Sequence, residues 1–165
     1  MKTNEVARTK ANSAKLRLWL VDDDDGMRSL MAELIDRSGA IECSQQFYSA
    51  EGALDALAHE LPPDIIVLDL NMGGMSGVEA IRPIKRLAKD TRAFIMTIFY
   101  DSIEASRARK AGAAGFILKR DDWDEIVNRL CDRSLDWINE NPAVPVAEPR
   151  QPTAAVLPTM EYCRP

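Results

Sequence analysis

Four aliphatic residues in a row, Ile65-Ile66-Val67-Leu68, run directly into a carboxylate, Asp69. A strand with one wet face alternates polar and apolar residues. An unbroken apolar run of this length fits a strand buried on both faces, in the middle of a parallel sheet. Ligands in open α/β sheets bind at the carboxyl ends of the strands. Asp69 ends its strand, and Asn71 and the flexible pair Gly73-Gly74 follow it. An aspartate closing a strand is also ordinary turn chemistry, so the rest of the chain has to decide its meaning.

The flanking sequence repeats one alternation. Residues 16–21 make a first apolar strand, followed by four aspartates, Asp22 to Asp25. Met27, Leu30, Met31, Leu34 and Ile35 recur at helical spacing, and Gly39 ends that helix. Residues 41–47 form a weaker, more polar strand suited to a sheet edge. Ser49 caps a second helix with Leu54, Leu57, Ala58 and Leu61 inward, stopped by Pro62-Pro63. After the central strand, Ser76 and Glu79 have capping-box spacing. The helix they start carries Val78, Ile81, Ile84 and Leu87 on one face, and Pro83 inside it predicts a kink. Residues 93–99 are a fourth strand. Asp101 and Glu104 start a short alanine-rich helix with few large apolar anchors, closed by Gly112. Residues 115–118 are a fifth strand. Asp121 or Asp122 caps a last helix, with Trp123, Val127, Leu130, Ser134 and Trp137 inward.

Strand and helix alternating five times imply an α/β domain over 16–139: a five-stranded parallel sheet with helices on both faces, for which the order 2-1-3-4-5 is taken as the expectation. Residues 1–15 are polar and basic and are expected to be a flexible arm. Residues 140–165 carry Pro142, Pro145, Pro149, Pro152, Pro158 and Pro165 and are expected to form an extended tail. A net charge of -5 argues against a broad nucleic-acid-binding surface. Cys43, Cys131 and Cys163 are scattered, which fits reduced thiols in the cytoplasm and no metal knot. No apolar run approaches the ~18 residues of a membrane helix. The short apolar stretch after the basic N-terminus is broken by Arg17 and runs into the aspartates, which excludes a signal peptide.

The strand order places the switch point between strands one and three, gathering Asp22, Asp23 and Asp69 at one edge. Neighbouring carboxylates repel, so they shift their pKa values or hold a cation. Oxygen donors suit Mg²⁺, which takes one or two carboxylates with waters and phosphate oxygens. Asp24 and Asp25 read as helix-start residues, leaving Asp22 and Asp23 as ligand candidates. Thr97 and Lys119 end strands four and five at the same edge. Singly they are a β-favouring residue and a surface lysine; together, a hydroxyl and an ammonium facing carboxylates suit an incoming phosphoryl group.

At this point the sequence resembles the receiver domain of bacterial two-component response regulators, as a stand-alone receiver. The matching elements are Val21-Asp22-Asp23, Asp69 to Met72 with Gly74 to Gly77, Met96-Thr97 and Leu118-Lys119, in the family's order and separation. The resemblance implies that Asp69 is the phosphoacceptor. It implies that Asp23, Asp69 and the backbone carbonyl of Asn71 hold Mg²⁺, with Asp22 acting largely through water. Thr97 and Lys119 would bind phosphoryl oxygens, and Phe116 matches the switch aromatic that turns inward as the threonine moves. The expected donor is a histidine kinase or a phosphotransfer protein. The output partner is expected to be a protein, with no direct nucleic-acid or membrane binding, and the chain to be a monomer or weak dimer. Three positions depart from the family: Gly73 replaces the usual proline, Arg120 another, and Phe116 stands where tyrosine is frequent.

Such a chain is a signalling switch and not a turnover enzyme. An aspartate-nucleophile phosphatase of the haloacid dehalogenase type needs a second aspartate two positions after the first, and here that residue is Asn71. A receiver-like interaction module without phosphorylation control is a further alternative. The one histidine, His59, sits near the end of an ordinary amphipathic helix, unlike that of a phosphotransfer protein. Ile98 and Phe99, beyond Thr97, are expected to screen a phosphoryl group on Asp69 from water and make it long-lived.

Overall fold

The computed structural model describes residues 15–133. The N-terminal arm, the proline-rich tail and the inward placement of Ser134 and Trp137 lie outside the described residues. Five strands alternate with five helices: β1 (Leu16–Val21), α1 (Asp25–Arg37), β2 (Ile41–Phe47), α2 (Ala50–His59), β3 (Ile65–Asp69), α3 (Gly77–Leu87), β4 (Arg92–Thr97), α4 (Ser102–Ala111), β5 (Gly115–Leu118) and α5 (Trp123–Cys131). Every strand pair is parallel, as the alternation predicts, and the order is the expected β2-β1-β3-β4-β5.

The strands' twofold period divides the core into two layers. Trp19, Val21, Ile66 and Leu68 join Ala53, Leu57, Ile81, Ile84 and Ala108 on the side of α2, α3 and α4. Leu18, Leu20, Ile65 and Val67 join Met31, Ile35, Ile126 and Leu130 under α1 and α5. All five residues of β3 are buried, which accounts for its unbroken apolar run. Full burial of each such side chain contributes roughly 1.5–3 kcal/mol before entropy is counted. The polar strand β2 is an edge. Ser44 is bulged out of its register with β1, and its hydroxyl donates to the carbonyl of Leu18 at 3.2 Å.

The helix ends follow from local chemistry. Asp24 caps α1 through Met27 N, Ser49 caps α2 through Gly52 N, and Ser76 with Glu79 forms a complete capping box on α3. Asp101 caps α4, whose C-cap Gly112 has φ 100°. Asp122, not Asp121, caps α5. At the pole opposite the strands' carboxyl ends, the Arg92 guanidinium donates to Leu130 O at 2.7 Å and Asp132 O at 2.5 Å, closing the end of α5. It also lies 5.0 Å from the ring centre of Phe94.

Several expected placements are corrected. β4 stops at Thr97, because its partner β5 ends at the paired Leu118, and Ile98 and Phe99 are exposed. Leu61 lies past the C-cap of α2 and Leu87 is the last residue of α3; both face solvent, as do Leu30 and Ala58. The inward face of α2 is Ala50, Ala53 and Leu57. In α5 the deepest residues are Ile126 and Leu130. Pro83 lies inside α3, as expected.

Candidate functional site

The parallel sheet delivers four side chains to one edge. Asp22 follows β1 directly, Asp69 ends β3, Thr97 ends β4 and Lys119 follows β5. Asp22, Asp69 and Thr97 are buried. The Lys119 ammonium bridges the two carboxylates, 2.6 Å from Asp22 Oδ2 and 2.6 Å from Asp69 Oδ1. Its backbone N–H donates to Thr97 O at 2.7 Å, which fixes it beside the end of β4. The Thr97 hydroxyl has no hydrogen-bond partner among the described residues.

Each carboxylate is aimed by backbone. Asp22 Oδ1 accepts from Asp24 N at 2.9 Å, and Asp69 Oδ2 accepts from Asn71 N at 2.8 Å. Arg28, on the first turn of α1, donates to Asp22 O at 2.6 Å and pairs with Asp25. Asp23 is exposed, and its Oδ2 accepts from Gly73 N at 3.0 Å. Asp24 and Asp25 are helix-start residues, as expected, and stand apart from the bridge.

Burial pushes the Asp69 carboxyl above its usual 3.8, and the hydrogen bond and charge of Lys119 only partly oppose it. Burial alone would lower the Lys119 ammonium, but its bonds to Asp22 and Asp69 outweigh this and hold it above 10.5. The two shifts are consistent, because one ammonium serves two carboxylates. Asp69 has half a partner where a simple ion pair would give it a whole one.

The donor set is compatible with a hard cation. Among the described residues no group of three or more histidine, cysteine or carboxylate side chains is disposed around one point. Both oxygens of Asp22 are already engaged. Mg²⁺ needs only one or two carboxylates, completed by carbonyl oxygens and waters. Asp69 and the backbone of Asn71 lie at the end of β3, and Asp23, in the loop after β1, is tied to the same place through Gly73 N; these oxygen donors meet that requirement.

Phe116, on β5, is buried and meets Tyr100 edge-on, ring centres 5.7 Å apart. It is a core residue, paired with Ile95 of β4, and its ring reaches the β4–α4 segment through Tyr100. Three residues beside the site have no individual role predicted from sequence. Arg28 was detectable from its spacing to Asp25. Gly77 was visible as part of a motif, but not as a packing requirement. Glu51, whose Oε1 accepts from Met75 N at 2.9 Å, had no signal, since its partner lies 24 residues on.

A family model described as the response regulator receiver domain matches residues 18–131. The chain belongs to the receiver domain family. Receivers act in general as phosphorylation-dependent switches of two-component systems. The transcriptional regulatory protein LiaR of Bacillus subtilis is 33% identical over 116 residues, which are 70% of this chain and 54% of that protein. The response regulator GacA of Pseudomonas aeruginosa is 29% identical over 115 residues, 70% of this chain and 53% of GacA. The chain thus spans about half the length of the curated relatives it matches. Among solved structures, a LuxR-family two-component response regulator from Aurantimonas superposes with a TM-score of 0.65 at 34% identity, over 70% of this chain and 81% of that one. The receiver domain of the putative response regulator NarL from Mycobacterium tuberculosis gives 0.64 at 28% identity, over 69% and 91%. No helix among the described residues is long and apolar enough to cross a membrane.

Proposed function

We propose that this receiver is switched by phosphorylation of Asp69. The observation that carries the reading is the Lys119 bridge to Asp22 and Asp69 at the sheet's carboxyl edge. Asp69 attacks the phosphorus of a phosphohistidine on a kinase or phosphotransfer protein. The new bond is Asp69 Oδ–P, and the bond to the donor nitrogen breaks, its electron pair leaving with that nitrogen. Lys119 transfers its hydrogen bond from Asp69 to a phosphoryl oxygen, and the unpartnered hydroxyl of Thr97 donates to another. Asp23, Asp69 and the Asn71 carbonyl would hold Mg²⁺, with Asp22 acting through water, and the bound ion would supply neutralisation of the charge on the phosphoryl oxygens. A response regulator from Burkholderia pseudomallei, 25% identical and superposing with a TM-score of 0.62, was solved with a phosphorylated aspartic acid and a calcium ion. That supports an aspartate-and-cation site on this fold.

The unit that carries this chemistry is the domain at 16–139. Its output is a change of protein-binding surface, with Thr97 and Phe116 as the residues that move, and its direct partners are proteins. The test is intact-mass spectrometry after incubation with acetyl phosphate and Mg²⁺. One labile phosphate is expected, absent without Mg²⁺ and absent in Asp69→Asn. A label that survives the substitution sinks the assignment. Mg²⁺ titrations refine it: Asp23→Ala is expected to weaken binding more than Asp25→Ala, which removes only a helix-start charge.

A further inference from the structure

We infer that Glu51, on the first turn of α2, is a positioning residue for the loop between β3 and α3 that would hold the cation. The inference rests on the metal-site reading above.

The loop at 70–76 contains Asn71, whose carbonyl is a proposed ligand, and two glycines where the resembling family has proline at the first. Proline would stiffen the segment; Gly73 leaves it free. The chain restrains it otherwise. Gly73 N donates to Asp23 Oδ2 at 3.0 Å, Met75 N donates to Glu51 Oε1 at 2.9 Å, and Gly77 N donates to Leu70 O at 3.2 Å. The middle tie is the one made to an element with no other part in the site.

Glu51 is built for this contact. Its own backbone N–H, then that of Met75, then the Ser49 hydroxyl hold its carboxyl below the ordinary range, so it accepts as an anion. Gly74 has φ 94°, and a Cβ there would stand 2.9 Å from Glu51 Oε1. Residue 74 has to be glycine for its positive φ, and the Glu51 carboxylate, the end of a flexible exposed side chain, packs beside it. A residue serving only the start of α2 would not need the distant amide of Met75. Glu51 is not offered as a metal ligand; it acts through Met75.

The experiment compares the full chain with Glu51→Ala and Glu51→Gln. The readouts are Mg²⁺ affinity by calorimetry, amide exchange at Met75, and acetyl phosphate labelling at limiting and saturating Mg²⁺. Glu51→Ala is expected to weaken Mg²⁺ binding about threefold to tenfold, less than the ~10–100-fold lost when a group bonded directly to a metal ligand is removed. Exchange at Met75 should quicken, and labelling should recover at saturating Mg²⁺. Glu51→Gln keeps an acceptor oxygen and should stay near the natural chain. Unchanged Mg²⁺ affinity in Glu51→Ala overturns the inference. So does Glu51→Gln behaving like Glu51→Ala, which would make charge and not the tie responsible. A natural chain that takes up neither Mg²⁺ nor phosphate overturns the underlying site reading, and this one with it.

Discussion

Gly77 and Asp69 are in backbone contact: a Cβ on Gly77 would press into the carbonyl oxygen of Asp69, far inside van der Waals distance, and against Ile95 Cδ1. The first residue of α3 thereby seats the helix on the end of β3, and the geometry of Asp69 depends on it. Gly77→Ala is expected to destabilise the domain by about 1–3 kcal/mol through overpacking. It should also slow phosphorylation, because the obstructing atom is main chain and cannot rotate away. Urea unfolding and the acetyl phosphate labelling rate check this; a variant unchanged in both would show that the helix end can shift without cost.

Lys119→Ala leaves Asp22 and Asp69 buried together without a counter-charge. Removing one partner of a buried ion pair costs about 3 kcal/mol, and here two anions are stranded. We expect loss of that order in urea unfolding without Mg²⁺, with part of it restored by added Mg²⁺. A loss under about 0.5 kcal/mol, the range of ordinary surface substitutions, would contradict the buried bridge.

Asp69 also predicts a pH signature. Its folded pKa lies above the 3.8 of an ordinary aspartate, chiefly through burial. A raised folded pKa means that this group favours folding fully below 3.8, and that the contribution is lost as pH rises through the folded value. At neutral pH the ionised Asp69 is thus a burden on the metal-free fold. Asp69→Asn should melt higher than the natural chain at pH 7 in chelator, and the gap should shrink as pH falls toward 3.8. A gap that widens on acidification has the wrong sign.

Helix α4 buries only Ala105 and Ala108, and Ile103 faces solvent. So few anchors give a low opening free energy. With a beryllofluoride mimic on Asp69, amide exchange across residues 99–111 is expected to change severalfold while β3 and β1 stay protected. Equal protection with and without the mimic would remove α4 from the switch.

The lifetime of the phosphorylated state is expected to be minutes or longer. Ile98 and Phe99 follow Thr97 directly and offer an approaching water no hydrogen bond. Both are exposed, Phe99 at 75%, so they face the solvent side of the segment. Phe99→Glu should dephosphorylate faster, since positioning a water is worth several kcal/mol in such reactions. An unchanged rate, or loss within seconds from the natural chain, rejects the screening role.

Much of this architecture is legible along the chain because its chemistry is local. Asp24, Ser49, Ser76 and Gly112 cap helices for reasons contained within a few residues, and β3 announces its burial by composition. The errors arise where hydrophobicity outruns structure. Leu61 and Leu87 continue an amphipathic period after the helix has lost its packing surface. Ile98 and Phe99 extend an apolar run after the neighbouring strand has ended. At the site, Asp22, Asp69, Thr97 and Lys119 share one edge because parallel strands all point their carboxyl ends the same way. Glu51 was invisible for the converse reason: its contact joins the start of α2 to the β3–α3 loop, which only the folded sheet brings together.

The clamp that Arg92 places on the end of α5 has a consequence for how any signal leaves the domain. Arg133 lies 3.6 Å from Asp64, and Arg17 N lies 2.9 Å from the same side chain. Residues 17 and 133 are therefore moored at one pole, and Asp69 is at the other. Five strand residues at ~3.3 Å each put about 16 Å between them. Whatever is joined to residue 133 begins its path out of arm's length of the phosphoryl group. From Asp69 the near routes outward are lateral, through the helices and rings that flank the sheet edge.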